Sequence, residues 1–285
     1  MKKILVPSDF SGPSTEAFKA AVDLASKAGG SVILLHVINI PAVADSGFDA
    51  GVGYSPELID LWQEDAEKSI QSMINDLPKD GPPVVGSVAI GMVLPVILDV
   101  IKREGIDLVV MGKTGRTGLP HVLIGSTTEK LVRHSPAPVL SVVEAKSLSS
   151  VNNIVLPSTL ALDQIHFMEK VKELQEFFRA TIHILHVNTP YHFQRDSDAY
   201  AGMQDVIRNY HLTRCQTHFV NNYSEEAGIT EFATERKMDL IVMGTHARKG
   251  LAQLFNHSIS EELANSYPGA VWTCPLKKPK VVAQQ

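Results

Sequence analysis

The fold is decided by one stretch, Leu108-Val-Val-Met-Gly-Lys-Thr-Gly-Arg-Thr-Gly-Leu-Pro-His-Val-Leu-Ile-Gly-Ser-Thr-Thr128. Its apolar start predicts a buried strand that stops at Gly112, and further glycines follow before Gly125 and Ser126 open a helix. Glycines after a strand leave backbone N–H groups exposed, and a helix start adds more of them together with the positive end of the helix dipole. The stretch therefore suits an anion, most simply a phosphate chain.

The same pattern occurs a second time in the chain. Leu108-Val-Val-Met-Gly-Lys-Thr-Gly-Arg-Thr-Gly-Leu119 matches Leu240-Ile-Val-Met-Gly-Thr-His-Ala-Arg-Lys-Gly-Leu251, 132 residues further on. Near the start, Ile4-Leu-Val-Pro-Ser-Asp9 matches Ile154-Val-Leu-Pro-Ser-Thr159, 150 residues further on. The chain is therefore an internal duplication, and the second copy is 18 residues shorter between these two matches.

A third match sets the limits of the duplicated unit. Ile33-Leu-Leu-His-Val37 corresponds to His183-Ile-Leu-His-Val187 at the distance of 150 residues. Each copy has the length of an ordinary domain. We expect one domain at 1–145 and a second at 151–280, with a short polar linker over 146–153.

Short apolar runs alternate with amphipathic stretches in each copy, which predicts strands and helices in turn. In the first copy the strands are expected at 3–7, 31–38, 84–89, 107–111 and 139–143. The helices are expected from Ser11 or Ser14 to 28, then at 55–77, 94–103 and 126–133, with a mobile loop over 39–54 and the second copy's second helix near 197–211. Such alternation predicts a parallel sheet with helices on both faces.

Composition and charge exclude several classes of protein. The chain has 285 residues, 44% of them hydrophobic and 20% charged, with a net charge of −5, and neither half has the basic excess of a domain that binds duplex nucleic acid. Two distant cysteines form no metal or redox pattern and fit a reducing compartment. No apolar segment approaches the ~18 residues of a membrane span. We expect a cytoplasmic protein without a nucleic-acid or membrane partner.

The candidate site lies where strand order reverses in such a sheet, beyond the carboxyl ends of the strands. Asp9 follows the first strand and Gly112 ends the fourth, so a carboxylate and a phosphate cradle would share one crevice. Asp9 would accept ribose hydroxyls, or alternatively would only cap the next helix. Val37 could offer backbone groups to a base edge, or could be a core valine. Ser126 forms a capping box with Glu129, which by itself indicates only a helix start.

Basic side chains and histidines could also contribute to the site. We expect Lys113 to be solvated, and with Arg116 it could supply mobile positive charge over a phosphate tail. Eight of the 11 histidines lie in the second half, but no spacing among them matches a known ligand pattern. His183 and His186, three apart in a strand, should point to opposite faces. We expect no metal site.

The combined motifs resemble those of the universal stress protein family. The resemblance covers nearly the whole chain as two tandem domains, and its motifs are Gly112-x2-Gly115-x9-Gly125-Ser126, Val6-Pro-Ser-Asp9, His36-Val37 and Pro136-Ala-Pro-Val-Leu140. It implies an α/β fold of two Rossmann-like (adenine nucleotide alpha-hydrolase-like) domains, each a five-stranded parallel sheet of order 3-2-1-4-5 with helices on both faces. It also implies that the last strands, 139–143 and 270–273, pair as an internal pseudo-dimer, and it allows a homodimer of chains.

The same resemblance implies ATP as the ligand, with Mg²⁺ as an ion that could accompany it. Adenine and ribose contacts would come from Asp9 and the Val37 backbone. The residues expected to bind nucleotide are Pro7, Ser8, Asp9, Val37, Met111, Gly112, Lys113, Gly115, Arg116, Gly125, Ser126 and Thr127, of which Gly112, Gly115, Gly125, Ser126 and Thr127 would contact the phosphates.

The second copy departs from this pattern where it matters most. Thr159 replaces Asp9, Ala247 replaces Gly115, and His257 replaces Gly125. We therefore expect only the first domain to bind nucleotide, with stress response or signalling through nucleotide-dependent conformation or partner binding. The alternatives are a slow ATPase, and a scaffold or carrier of a small ligand. No residue is an evident general base, so we assign no catalytic residue and expect at most weak ATP hydrolysis.

Overall fold

The computed structural model describes residues 1–40, 55–113, 126–148, 150–245 and 259–276. Its strands are β1 (Lys3–Ser8), β2 (Ser31–Asn39), β3 (Val84–Gly91), β4 (Leu108–Gly112), β5 (Val139–Val142), β6 (Asn153–Pro157), β7 (Thr181–Asn188), β8 (Cys215–Asn221), β9 (Leu240–Thr245) and β10 (Ala270–Pro275). Its helices are α1 (Gly12–Ala28), α2 (Pro56–Asn75), α3 (Val93–Glu104), α4 (Ser126–His134), α5 (Ile165–Phe178), α6 (Asp196–Tyr210), α7 (Glu225–Glu235) and α8 (Ile259–Ser266). Most predicted elements are confirmed, with ends that move by one or two residues.

All ten strands form one sheet in the order β3-β2-β1-β4-β5-β10-β9-β6-β7-β8. Each half therefore has the order 3-2-1-4-5, as predicted. Strands within a half are parallel, whereas β5 and β10 pair antiparallel and join the two halves edge to edge. The predicted pairing through the last strands is confirmed.

Two hydrophobic clusters cover the two faces of this sheet. One holds buried side chains of α1, α2, α5 and α6, and the other holds those of α3, α4, α7 and α8. Successive strand residues alternate between them, since Ile4 belongs to the first cluster and Leu5 to the second. Both clusters run through both halves, so the cores of the halves are continuous.

Helix α1 begins and ends where its local sequence dictates. Ser11 is the N-cap and accepts a hydrogen bond from the N–H of Ser14, while Pro13 lies in the first turn. At the other end Gly29 adopts φ 60°, a left-handed conformation that glycine tolerates without steric cost. This start of α1 holds the turn after β1 at the carboxyl edge of the sheet.

An aspartate fixes the register of the central strands in each half. Asp107 Oδ2 accepts the backbone N–H groups of Lys2 and Lys3 at 2.8 and 3.0 Å. Asp239 does the same for Asn152 and Asn153 at 2.8 and 2.9 Å. Because the amino end of β1 is tied to that of β4, their carboxyl ends meet at the opposite edge.

The predicted polar linker over 146–153 is only partly right. A short 3₁₀ helix occupies Ala145–Leu148, and the side chains of Leu148 and Val151 are each only 2% exposed. The segment therefore buries apolar side chains, and its 3₁₀ helix packs against α1. The loop predicted over 39–54 lies, except for Asn39 and Ile40, outside the described residues. None of the helices in the described part of the chain is long and apolar enough to cross a membrane.

Candidate functional site

The turn between β1 and α1 is built by hydrogen bonds among its own short polar side chains. Ser8 Oγ accepts the N–H of Phe10 at 3.1 Å and lies 3.1 Å from Ser14 Oγ. Asp9 Oδ1 accepts both the N–H of Ser11 at 3.1 Å and its hydroxyl at 2.5 Å. The backbone of this turn is therefore determined locally.

Asp9 itself is exposed, and Ser11 rather than Asp9 caps α1. Both hydrogen bonds from Ser11 go to Oδ1, and the exposed carboxylate can accept a further donor. Partial burial raises the pKa of Asp9, but the hydrogen bonds from Ser11, from Ser14 and from the backbone of Asp9 together outweigh burial and leave the pKa below its ordinary value. The carboxylate is thus ionised at neutral pH and faces solvent at the end of β1.

A feature of this turn that sequence reasoning missed is the contact between Phe10 and His36. Phe10 adopts φ 63°, and its ring stacks on His36 with centroids 4.4 Å apart. The imidazole Nδ1–H donates to the carbonyl of Ser8 at 2.8 Å. In the second half Leu160 adopts φ 64° and His186 Nδ1 lies 3.3 Å from the carbonyl of Ser158. The repeated His-Val pair was the available signal.

Gly112 lies where β4 passes under the start of α1. Leu5 pairs with Val109, and this register places Ser8 opposite Gly112. A Cβ at Gly112 would lie 2.0 Å from the carbonyl oxygen of Pro13, so only glycine fits. The carboxyl ends of β1 and β4 therefore meet in one crevice, at the point where strand order reverses.

The other predicted residues in the described part of the site take different positions. Val37 is half-buried and lies one residue past the Ser8–His36 pair, where β2 no longer pairs with β1. The side chains of Pro7 and Met111 are buried, so a ligand could meet these residues only through their backbones. Thr127 is half-buried in the first turn of α4.

The prediction for Lys113 is wrong, because its side chain is not solvated. It is 2% exposed, and its ammonium group donates to the carbonyls of Tyr267 at 2.8 Å and Ala264 at 3.2 Å in the second half. Burial lowers the pKa of Lys113 to about 7, whereas the two carbonyls favour the charged form. Lys113 supplies no mobile charge over the crevice.

Several predicted positions lie outside the described residues. Among the expected nucleotide contacts these are Gly115, Arg116, Gly125 and the side chain of Ser126. Positions 247 and 257, where the second copy departs from the first, also lie outside.

A pair of histidines joins β7 and β8 in the second half. His183 Nδ1 lies 3.0 Å from His218 Nε2, and His183 Nε2 lies 3.1 Å from Asn153 Oδ1. Burial, and after it the charge of Arg236, lowers the pKa of His183. Burial also lowers the pKa of His218, and the charges of His183 and then Arg236 lower it further. Within the described ranges, no group of three histidine, cysteine or acidic side chains could hold a metal ion.

Comparisons with known proteins agree with this architecture. The model of the universal stress protein family matches residues 1–142 and 163–275. A universal stress protein of Methanocaldococcus jannaschii is 30% identical over 157 residues, which cover 51% of this chain and 97% of that protein. One from Synechocystis is 24% identical over 277 residues, covering 89% of this chain and 93% of the relative.

A solved structure extends the likeness to the fold of the whole chain. The crystal structure of a universal stress protein from Archaeoglobus fulgidus has a TM-score of 0.74 at 19% identity, with 96% of this chain and 98% of that one covered. Since the family match takes in most of the chain and occurs once in each half, the chain belongs to the universal stress protein family and contains two of its domains.

Proposed function

We propose that the first half binds ATP in the crevice between the carboxyl ends of β1 and β4, and acts in stress response or signalling through nucleotide-dependent conformation or partner binding. The observation that carries this proposal is the exposed carboxylate of Asp9 beside Gly112 at the reversal of strand order. Mg²⁺ would accompany the phosphates. The proposed domains are 1–145 and 151–280.

The chemistry of the crevice supports a nucleotide. The exposed carboxylate of Asp9 can accept hydrogen bonds from the ribose hydroxyls, and an ionised acceptor makes these bonds stronger than neutral ones. Helix α4 follows β4, so its N-terminus, with Thr127 in the first turn, would face the phosphates with the positive end of its dipole. Val37 lies at an open backbone position suited to the base edge.

The second half lacks the charged acceptor of this crevice. Thr159 stands at the position of Asp9 and is exposed in the same turn. Its neutral hydroxyl is a weaker acceptor than a carboxylate. We therefore propose that the second domain has a structural or regulatory role, and that the chain binds one ATP.

Isothermal titration calorimetry with ATP tests this proposal. We expect one ATP per chain, and we expect Asp9→Thr, which copies the second half, to weaken binding at least about tenfold, as the loss of a hydrogen bond to a charged group predicts. Thr159→Ala is the matched control and should leave the affinity unchanged. Two equal sites, or an unchanged affinity in Asp9→Thr, would contradict the proposal. Timed ADP formation by the same samples separates binding from slow hydrolysis.

A further inference from the structure

Lys113 is a buried cation that the proposed nucleotide site does not use. It comes one residue after Gly112, and its backbone N–H donates to the carbonyl of Val142 at 2.8 Å, which continues the pairing of β4 with β5. Its side chain reaches the carboxyl-terminal end of α8, the helix that packs against α4. A buried ammonium group costs free energy unless it is hydrogen-bonded, so its partners define its role.

Those partners are the carbonyls at the end of α8. The last carbonyls of a helix lack partners within the helix and carry the negative end of its dipole. The N–H of Tyr267 donates to the carbonyl of Leu263. The ammonium group of Lys113 donates to the carbonyls of Ala264 and Tyr267, and it lies 5.9 Å from the centroid of the Tyr267 ring. Lys113 is thus a hydrogen-bond donor to the carboxyl-terminal end of α8, although it lies 151 residues away in sequence.

The charge pattern of the two equivalent helices agrees with this role. The last turn of α4 contains two basic residues of its own, Arg133 and His134, whereas the last turn of α8 contains none. At the position equivalent to Lys113 the second copy has Thr245, whose short side chain cannot span to a helix end. The contact therefore runs in one direction only, from the first half to the second.

We propose that Lys113 is a positioning residue that couples the crevice at the end of β4 to helix α8, so that nucleotide binding in the first half stabilises α8 in the second. This inference rests on the function proposed above. The backbone of Lys113 adjoins Gly112 at the crevice, while its ammonium group holds α8. A ligand that holds the end of β4 also holds these two hydrogen bonds. By linkage, the effect is reciprocal, and the state of α8 changes the affinity for the ligand.

Hydrogen exchange of the full chain, with and without ATP, tests the coupling. We expect Lys113→Met, which keeps length and burial but removes the donors, to speed exchange in α8 about tenfold or more without ATP. We expect ATP to slow α8 exchange several-fold in the wild-type protein but not in Lys113→Met. The variant's ATP affinity should fall about five- to tenfold, a typical size for coupling between sites.

Thr273→Val is the matched control. Thr273 Oγ1 donates to the carbonyl of Val139 at 3.2 Å, so the variant removes a buried bond between the halves that does not involve α8. It should leave α8 exchange and ATP affinity within about twofold of wild type. Lys113→Gln, which keeps an uncharged donor, should give exchange between those of wild type and Lys113→Met, and serves if the latter does not fold.

Three results would overturn the inference: unchanged α8 exchange in the Lys113 variants, equal ATP protection of α8 with and without Lys113, or equal loss of affinity in Thr273→Val. Absence of ATP binding to the wild-type protein would reject the proposed function and the coupling together. The ligand-free exchange of α8 would then still decide whether Lys113 holds that helix, so the two failures are distinguishable.

Discussion

Gly112 and Asp9 illustrate what single residues of the site contribute. Gly112 lets the end of β4 approach the first turn of α1, and that approach places Asp9 beside the crevice. A Cβ there would meet a backbone carbonyl, which cannot rotate away as a side chain could. The residue is therefore required by packing, whatever it contributes to phosphate binding.

We predict that Gly112→Ala destabilises the protein by about 2 to 3 kcal/mol, the usual cost of overpacking. The displaced turn should also lower ATP affinity. The measurement is urea unfolding followed by circular dichroism. Gly12→Ala is the control, because a Cβ at Gly12 would have no atom within 4 Å, and its stability should be unchanged or slightly higher. Equal stability of Gly112→Ala and wild type would mean that the start of α1 can shift without cost.

At this scale, sequence reasoning found Asp9 and Gly112 but misjudged Lys113. A carboxylate after one strand and a glycine ending another are signals that depend on local sequence and on sheet geometry. The partners of Lys113 lie 151 and 154 residues away in the chain. They are backbone carbonyls, which every residue has, so the residue types in the sequence do not reveal them. Only the packing of α4 on α8 brings them together.

Helices and strands were the best-predicted level of the structure. Ser11, Ser55 and the glycine after α1 set helix ends through hydrogen bonds that involve only near neighbours in sequence. The order of each half followed from the family resemblance rather than from periodicity. The linker was predicted to be wholly polar because Leu148 and Val151 are isolated apolar residues in a polar stretch, and their burial depends on packing against the hydrophobic cluster on one face of the sheet.

The β7–β8 histidine pair predicts a dependence of stability on pH. Burial and Arg236 hold the pKa values of His183 and His218 below 6.5 in the folded state, so the unfolded state binds more protons in that range. Stability is therefore present above pH 6.5 and is lost as the pH falls through 6.5 towards the folded-state values. The sheet edge should loosen in acid.

We predict that the wild-type protein loses a few degrees more of Tm than His218→Gln between pH 7.5 and 5.5, on the scale of about 2 to 4 °C per kcal/mol. Glutamine can still donate to His183 Nδ1 but does not titrate. Differential scanning calorimetry measures the difference. His192→Gln is the control, since His192 is exposed and does not belong to the β7–β8 pair. Parallel Tm curves for wild type and His218→Gln would refute the assignment.

The two halves form one molecule rather than two linked ones. The sheet continues through β5 and β10, where Thr273 Oγ1 and Ser141 Oγ donate to backbone carbonyls of the opposite half. The hydrophobic clusters on both faces contain side chains from each half. Neither half can unfold alone without exposing part of the other's core, so the duplication should behave as a single cooperative unit.

The two tryptophans provide the measurement, because Trp62 lies on α2 in the first half and Trp272 on β10 in the second. Trp272→Phe leaves only the first reporter and Trp62→Phe only the second. We predict that within each variant the urea midpoint from fluorescence equals that from circular dichroism within about 0.2 M, as two-state unfolding requires. Because each variant is compared with itself, any loss of stability from the substitution cancels. A fluorescence midpoint that departs from circular dichroism in either variant would show that one half unfolds first, and that the shared clusters do not couple them.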